Sequence, residues 1–148
     1  MKANERVDSA LHVLKGAVQK VLGAELTTSV FGDGLNGRLA VEYDKKPTQE
    51  QMDEVESLAN QKIAEDVPIQ MIEIERAAAE NKYGKVIYDK FPVPSHITKL
   101  TLTIIDGWNI NCCLGPHVKT TGKIGQLKLR KFRARPARNE LEISFELV

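Results

Sequence analysis

The stretch Arg6–Leu22, RVDSALHVLKGAVQKVL, is the part of this 148-residue chain whose reading decides the fold. Val7, Ala10, Leu11, Leu14, Val18, Val21 and Leu22 recur at the i, i+3, i+4 spacing of one apolar helical stripe. Gly23 follows, where a helix commonly ends in a left-handed residue. At about 100° per residue, Asp8 and His12 lie roughly 100° and 140° from the stripe's centre near Leu14 and Val18. One helical turn separates them, on the same face, so both are expected outside the core seam and facing a cleft.

Outward from that helix, FGDGLNG at Phe31–Gly37 is turn-rich, a hairpin connection or a bulged strand. RLAVEY at Arg38–Tyr43 reads as a strand. Thr48 and Gln51 have the spacing of a capping box, which opens a second helix. Met52, Val55, Ala59 and Ile63 mark its inner face, and Val67–Pro68 ends it. Strands are expected over Ile69–Ile74, Lys99–Asp106, Trp108–Cys112, Ile124–Phe132 and Leu141–Leu147. A short helix over Arg76–Tyr83 leads into the Pro-rich loop FPVPSH, and a turn falls near Pro136–Asn139. Strands and helices mix without a βαβ repeat, which predicts an α+β class. The expected architecture is a single domain over residues 1–148, a largely antiparallel sheet with the N-terminal amphipathic helix and the second long helix packed on it.

Composition supports a core of ordinary size: 42% of residues are hydrophobic and 28% charged. No segment has the uninterrupted apolar length of a membrane span or a secretory signal. Cys112 and Cys113 are adjacent, a poor geometry for a structural bridge, so a reducing, cytoplasmic setting is expected. The net charge of +1 hides an asymmetry. Residues 1–106 carry 13 Lys and Arg against 17 Asp and Glu, whereas residues 107–148 carry 8 against 3. All eight late cations fall between Lys119 and Arg138 with no acid among them. Such a field suits a polyanion, although a charge run is also what a solvated strand surface looks like.

The chemistry-bearing residues form two pairs, each spaced by four. Asp8 and His12 share the first helix; Cys113 and His117 bracket a Gly-Pro turn at the end of an expected strand. Zinc accepts Cys sulfur, His nitrogen and Asp oxygen, so both pairs could close on one ion. Spacing alone leaves that reading open beside ordinary polar surface residues. His96, in the Pro-rich loop, reads as a surface residue.

Asp8-Ser-Ala-Leu-His12-Val-Leu-Lys-Gly-Ala-Val, followed at long range by Asn111-Cys-Cys113-Leu-Gly-Pro-His117-Val-Lys-Thr-Thr-Gly-Lys-Ile-Gly125, resembles the HxxxH…CxxxH editing-domain superfamily. That superfamily includes the editing domains of alanyl- and threonyl-tRNA synthetases and free-standing AlaX-type proteins. The likeness covers nearly the whole chain. The helix-first order, the FPVP loop and the WNIN strand fit the short AlaX type, while the Cys-x-Gly-Pro-His wording is closer to the threonyl type.

The resemblance implies that Asp8, His12, Cys113 and His117 stand where the family holds zinc through His, His, Cys and His. It implies a trans-editing deacylase that hydrolyses the ester of mischarged tRNA, seryl- or glycyl-tRNA of the alanine type. Thr28, with Thr27 beside it, is the candidate for recognising the misattached residue. Lys119, Lys123, Lys128, Arg130, Lys131, Arg133 and Arg135 become the expected contacts to tRNA phosphates. Asp8 departs from the pattern: aspartate ligates zinc, but its side chain is shorter than imidazole. A non-catalytic tRNA-binding relative with a degenerate metal site is the alternative, and a metal-dependent hydrolase of another small ester or amide a third reading. An apolar edge strand would let two chains pair as a homodimer.

Overall fold

The computed structural model describes residues 4–148; the expected domain, 1–148, includes residues 1–3, which lie outside the described residues. The first helix, α1, spans Glu5–Leu22. The Asn4 side chain caps it by accepting from the backbone N–H groups of Arg6 and Val7, and Gly23 ends it at φ 74°. It is not a one-sided surface helix. Every residue from Ser9 to Val18 is buried, because the second helix, two strands of one sheet and a strand of another cover it. His12 is itself only 9% exposed, yet it stands outside the apolar cluster and, with Asp8, lines a cavity, as expected.

The hairpin of β1 (Thr27–Asp33) and β2 (Asn36–Glu42) turns at Gly34, φ 61°, within the FGDGLNG stretch. Helix α2 (Gln49–Glu65) opens with the expected capping box: the Thr48 hydroxyl accepts from Gln51 N–H at 3.1 Å, and Gln51 Oε1 accepts from Thr48 N–H at 2.9 Å. Its buried residues are the four read from the periodicity. Then come β3 (Gln70–Glu75), α3 (Arg76–Tyr83), β4 (Lys99–Ile105), β5 (Asn109–Cys112), β6 (Leu127–Arg135) and β7 (Glu140–Leu147). β6 starts three residues later than expected, because Thr121–Ile124 winds into a 3₁₀ turn and Gly125 takes φ 93°.

The class is α+β, and all strand pairs are antiparallel. The strands divide into two sheets, β1-β2-β7-β6 and β3-β4-β5. One apolar cluster fills the space between α1, α2 and the larger sheet, with Leu14, Leu39, Met52, Ile143 and Phe145 fully buried. A second, around Ala79, Ile87, Leu100 and Leu102, sits where α3 covers the smaller sheet. Arg76 secures the Pro-rich loop there, its guanidinium donating to the carbonyls of Val93, Pro94 and Ile97 at 2.7–3.0 Å.

Trp108 locks the two halves together. It packs against the first cluster and donates its indole N–H to the Val13 carbonyl at 2.9 Å. Gly16 makes room for it: a Cβ at Gly16 would lie 2.3 Å from the indole nitrogen. α1 and β5 thus meet at closer range than a side chain would allow. Among the described residues no helix is long and apolar enough to cross a membrane.

Candidate metal centre and its cavity

Where α1 meets the end of β5, His12, Cys113 and His117 offer ligand atoms that lie within 4.8 Å of one another. Cys113 is delivered by the β4–β5 ladder, which runs one residue past the strand: Cys113 N–H donates to Thr101 at 3.1 Å and Thr103 Oγ1 donates to Cys113 O at 3.3 Å. The loop carrying His117 is fastened to α1 by Val118 N–H, which donates to Ser9 Oγ at 2.9 Å.

Both imidazoles are pre-set in one tautomer. His12 Nδ1 lies 3.1 Å from Asn109 Oδ1, an oxygen that can only accept, so Nδ1 carries the proton and Nε2 is left bare. His117 Nδ1 faces the Met71 thioether at 3.5 Å, which leaves Nε2 toward Cys113 Sγ at 3.7 Å. Tetrahedral zinc with N and S ligands at about 2.05 and 2.3 Å requires a ligand–ligand edge of roughly 3.6 Å. The Cys113–His117 pair already stands at that separation, and the third ligand atom lies within 4.8 Å of it.

Burial dominates the electrostatics. It holds His12 below the ordinary imidazole range and, with the nearby His12, takes His117 down to about 4. Both rings are therefore neutral at pH 7, the state a metal needs. Burial raises the Cys113 thiol, with the Asp8 carboxylate adding to the effect, and raises Asp8 itself.

Asp8 is outside the compact group, which comprises His12, Cys113 and His117. It borders the same cavity, across Gly115: a Cβ there would lie 3.5 Å from Asp8 Oδ2 and 3.6 Å from Cys113 Sγ. The cavity, about 190 Å³, continues past His12 to Lys15, Thr27, Asp89 and Asn111. Thr27 lines it, but Thr28 does not: the register shifts between Thr27 and Ser29, which leaves Thr28 without a cross-strand partner, and its hydroxyl donates to Glu140 Oε2 at 2.7 Å. Cys112 borders the cavity and packs against the second apolar cluster; burial pushes its thiol up to about 11. His96 is exposed.

The cations of the late basic run fall into two groups. Arg130 pairs with Glu146 and Arg135 with Glu142, across β6 and β7. Lys119, Lys123, Lys128, Lys131, Arg133 and Arg138 are exposed and make no ion pair within 4.0 Å among the described residues. β6 is the edge of its sheet opposite β1, three strand spacings or roughly 14 Å from it.

Sequence reasoning missed Asn109, Lys15 and Asp89. Lys15 had a readable signal, a cation next to Leu14 and one turn beyond Leu11 on the apolar side of the helix. Asn109 and Asp89 had none, since their importance comes from contacts across the fold.

Residues 101–139 match the family model described as the threonyl and alanyl tRNA synthetase second additional domain. The chain is 32% identical over 127 residues to an alanine–tRNA ligase of Methanococcus aeolicus, covering 85% of this chain and 14% of that protein. It is 36% identical over 125 residues to one of Saccharolobus islandicus, covering 84% and 14%. The chain is thus similar, over most of its own length, to one segment of alanine–tRNA ligases. It spans about 14% of the length of the ligases it matches. The His–Cys–His cluster supplies a candidate metal site within that segment.

Proposed function

We propose that the protein is a metal-assisted aminoacyl-tRNA deacylase that acts in trans, in the manner of AlaX-type proteins, on seryl- or glycyl-tRNA of the alanine type. The observation that carries this reading is the convergence of His12, Cys113 and His117 beside a cavity of about 190 Å³ that His12 and Cys113 line. That space has room for a small aminoacyl group. When bound, zinc supplies Lewis acidity, polarising a carbonyl and acidifying water at an open position. The chain's own residues do the rest. Asn109 and Met71 orient the two imidazoles, and the apolar Leu11, Val30 and Leu39 form part of the cavity wall. That Thr27 lines the cavity while Thr28 does not supports Thr27 as the threonine that touches the acyl group. Asp8 lines the same cavity outside the ligand cluster and would become a fourth ligand only by moving toward it.

The exposed Lys119, Lys123, Lys128, Lys131 and Arg133 support contact with tRNA phosphates. Exposed Val30 and Phe31 on edge strand β1 support pairing of two chains, which sedimentation tests.

The deciding experiment incubates the purified chain with seryl- and glycyl-tRNA of the alanine type, with and without chelator. Release of the amino acid, lost with the metal and on Cys113→Ala, is expected. The purified chain works there without a synthetase, so the same assay tests action in trans. Binding of tRNA without release would favour a non-catalytic tRNA-binding relative, a reading that Asp8's place outside the cluster supports.

A further inference from the structure

Beyond the three metal-ligand candidates, the cavity holds two opposite charges that the metal chemistry does not use. Lys15 follows His12 by three residues on α1 and is 5% exposed. Asp89 lines the same cavity from the segment after α3. The two are not an ion pair: no Lys–Asp contact within 4.0 Å joins them among the described residues. Each is only partly satisfied by the protein. Of the three N–H donors of the Lys15 ammonium, one reaches Thr27 Oγ1 at 2.7 Å, its single hydrogen-bond acceptor among the described residues. Asp89 Oδ1 accepts from Asn111 Nδ2 at 3.0 Å, which leaves Oδ2 to the cavity they both line.

A structural role does not account for Lys15. One bond to a hydroxyl repays little of the cost of taking an ammonium out of water. Leu or Met on that helix face would fill the space more cheaply. Burial lowers the ammonium's pKa to about 8, and Asp89 is the foremost of the charges that oppose the fall. Each charge therefore faces the cavity with bonding capacity to spare. An α-amino acyl group matches that arrangement: a cation and an oxygen acceptor held about one carbon apart, small enough for the volume.

We propose that Lys15 and Asp89 hold the aminoacyl ligand, Asp89 taking its α-ammonium and Lys15 an acyl oxygen. The assignment rests on the deacylase reading for its ligand class and extends it to residues that touch the ligand. It carries a consequence for the product. A free amino acid keeps the ammonium and gains a second acyl oxygen with a negative charge, so the cavity retains the zwitterion and hydrolysis is inhibited by its own product.

The test is a titration of full-length protein followed by NMR chemical shifts, using L-serine, N-acetyl-L-serine and ethanolamine. L-Serine binds wild type; the other two, each lacking one charged end, bind ten- to hundredfold more weakly, as expected for loss of one charged hydrogen bond. Lys15→Met and Asp89→Asn weaken L-serine by a similar factor. Lys15→Met does not lower the melting temperature, which separates ligand contact from a structural role; should it fail to fold, Asp89→Asn carries the test. Absence of L-serine binding to wild type, or equal binding by wild type and both variants, overturns the proposal. If L-serine binds as stated while tRNA is not deacylated, the hydrolase reading fails and this assignment survives. If tRNA is deacylated equally by wild type and both variants, the assignment alone fails.

Discussion

His12 and Asn109, 97 residues apart in sequence, are joined in a buried hydrogen bond of 3.1 Å between Nδ1 and Oδ1. The bond ties the helix half of the candidate centre to the strand half and fixes which imidazole nitrogen meets an ion. Asn109→Ala removes the acceptor and frees the ring to change tautomer. Metal affinity is expected to fall about 10- to 100-fold, as for other partners that orient a ligand from behind. Competition against a chromophoric chelator measures it, and affinity equal to wild type would show that the bond does not orient the ligand.

Proton release on metal binding follows from the shifted acidities. His12 and His117 are held below the ordinary imidazole range, His117 at about 4, so neither has a proton to lose at pH 7. Cys113 is raised and enters as the thiol. Zinc binding at pH 7 should therefore release about one proton, and Cys113→Ser should abolish most of it. Calorimetry in two buffers of different ionisation enthalpy gives the count; release of two or three would mean that the histidines start out charged.

Lys15 gives stability a pH dependence of definite sign. Its folded value, about 8, lies below the 10.5 of the free side chain. Between those values the unfolded chain binds more protons, so stability rises with pH there. Below about 8 the penalty is fully present, of the order of 3 kcal/mol if the whole difference is expressed. The groups around the ammonium are Asp89 and Glu25, which favour its charge, and His12, with which it interacts unfavourably. Lys15→Met should be the more stable protein at pH 7, and urea melts of the two should converge toward pH 10.5. A variant less stable at every pH would contradict this.

Gly16→Ala sets helix propensity against packing. In an open helix the change would gain roughly 1 kcal/mol. Here the new methyl would fall 2.3 Å from Trp108 Nε1, so the indole must move and release the Val13 carbonyl. A net loss of about 1–3 kcal/mol is expected, with a shift in emission from the single tryptophan. A gain in melting temperature would show that α1 and β5 can separate at little cost.

Much of this was legible in the chain. Period and caps are local properties, so α1, the Thr48–Gln51 box and the inner face of α2 could be read directly. The pairing of His12 with Cys113 and His117 was reachable from their spacing and the family likeness. What escaped was set by tertiary contact. The burial of His12 comes from β5 closing over α1, which depends on Gly16 admitting Trp108. The division of the strands into two sheets reflects hydrogen-bond partners that alternation cannot name. The basic run kept its sequence but not its full charge, because β7 sets Glu142 and Glu146 beside Arg135 and Arg130.

The candidate centre lies on the joint between two separate apolar clusters, with His12 supplied from one side and Cys113 from the other. Heating that parts this joint scatters the ligands while each cluster stays packed. Thermal inactivation would then run ahead of global melting, and the working ceiling of the molecule would be set by a hinge line rather than by its overall stability. A bound ion, by stitching that line, would raise the ceiling more than it raises the melting point.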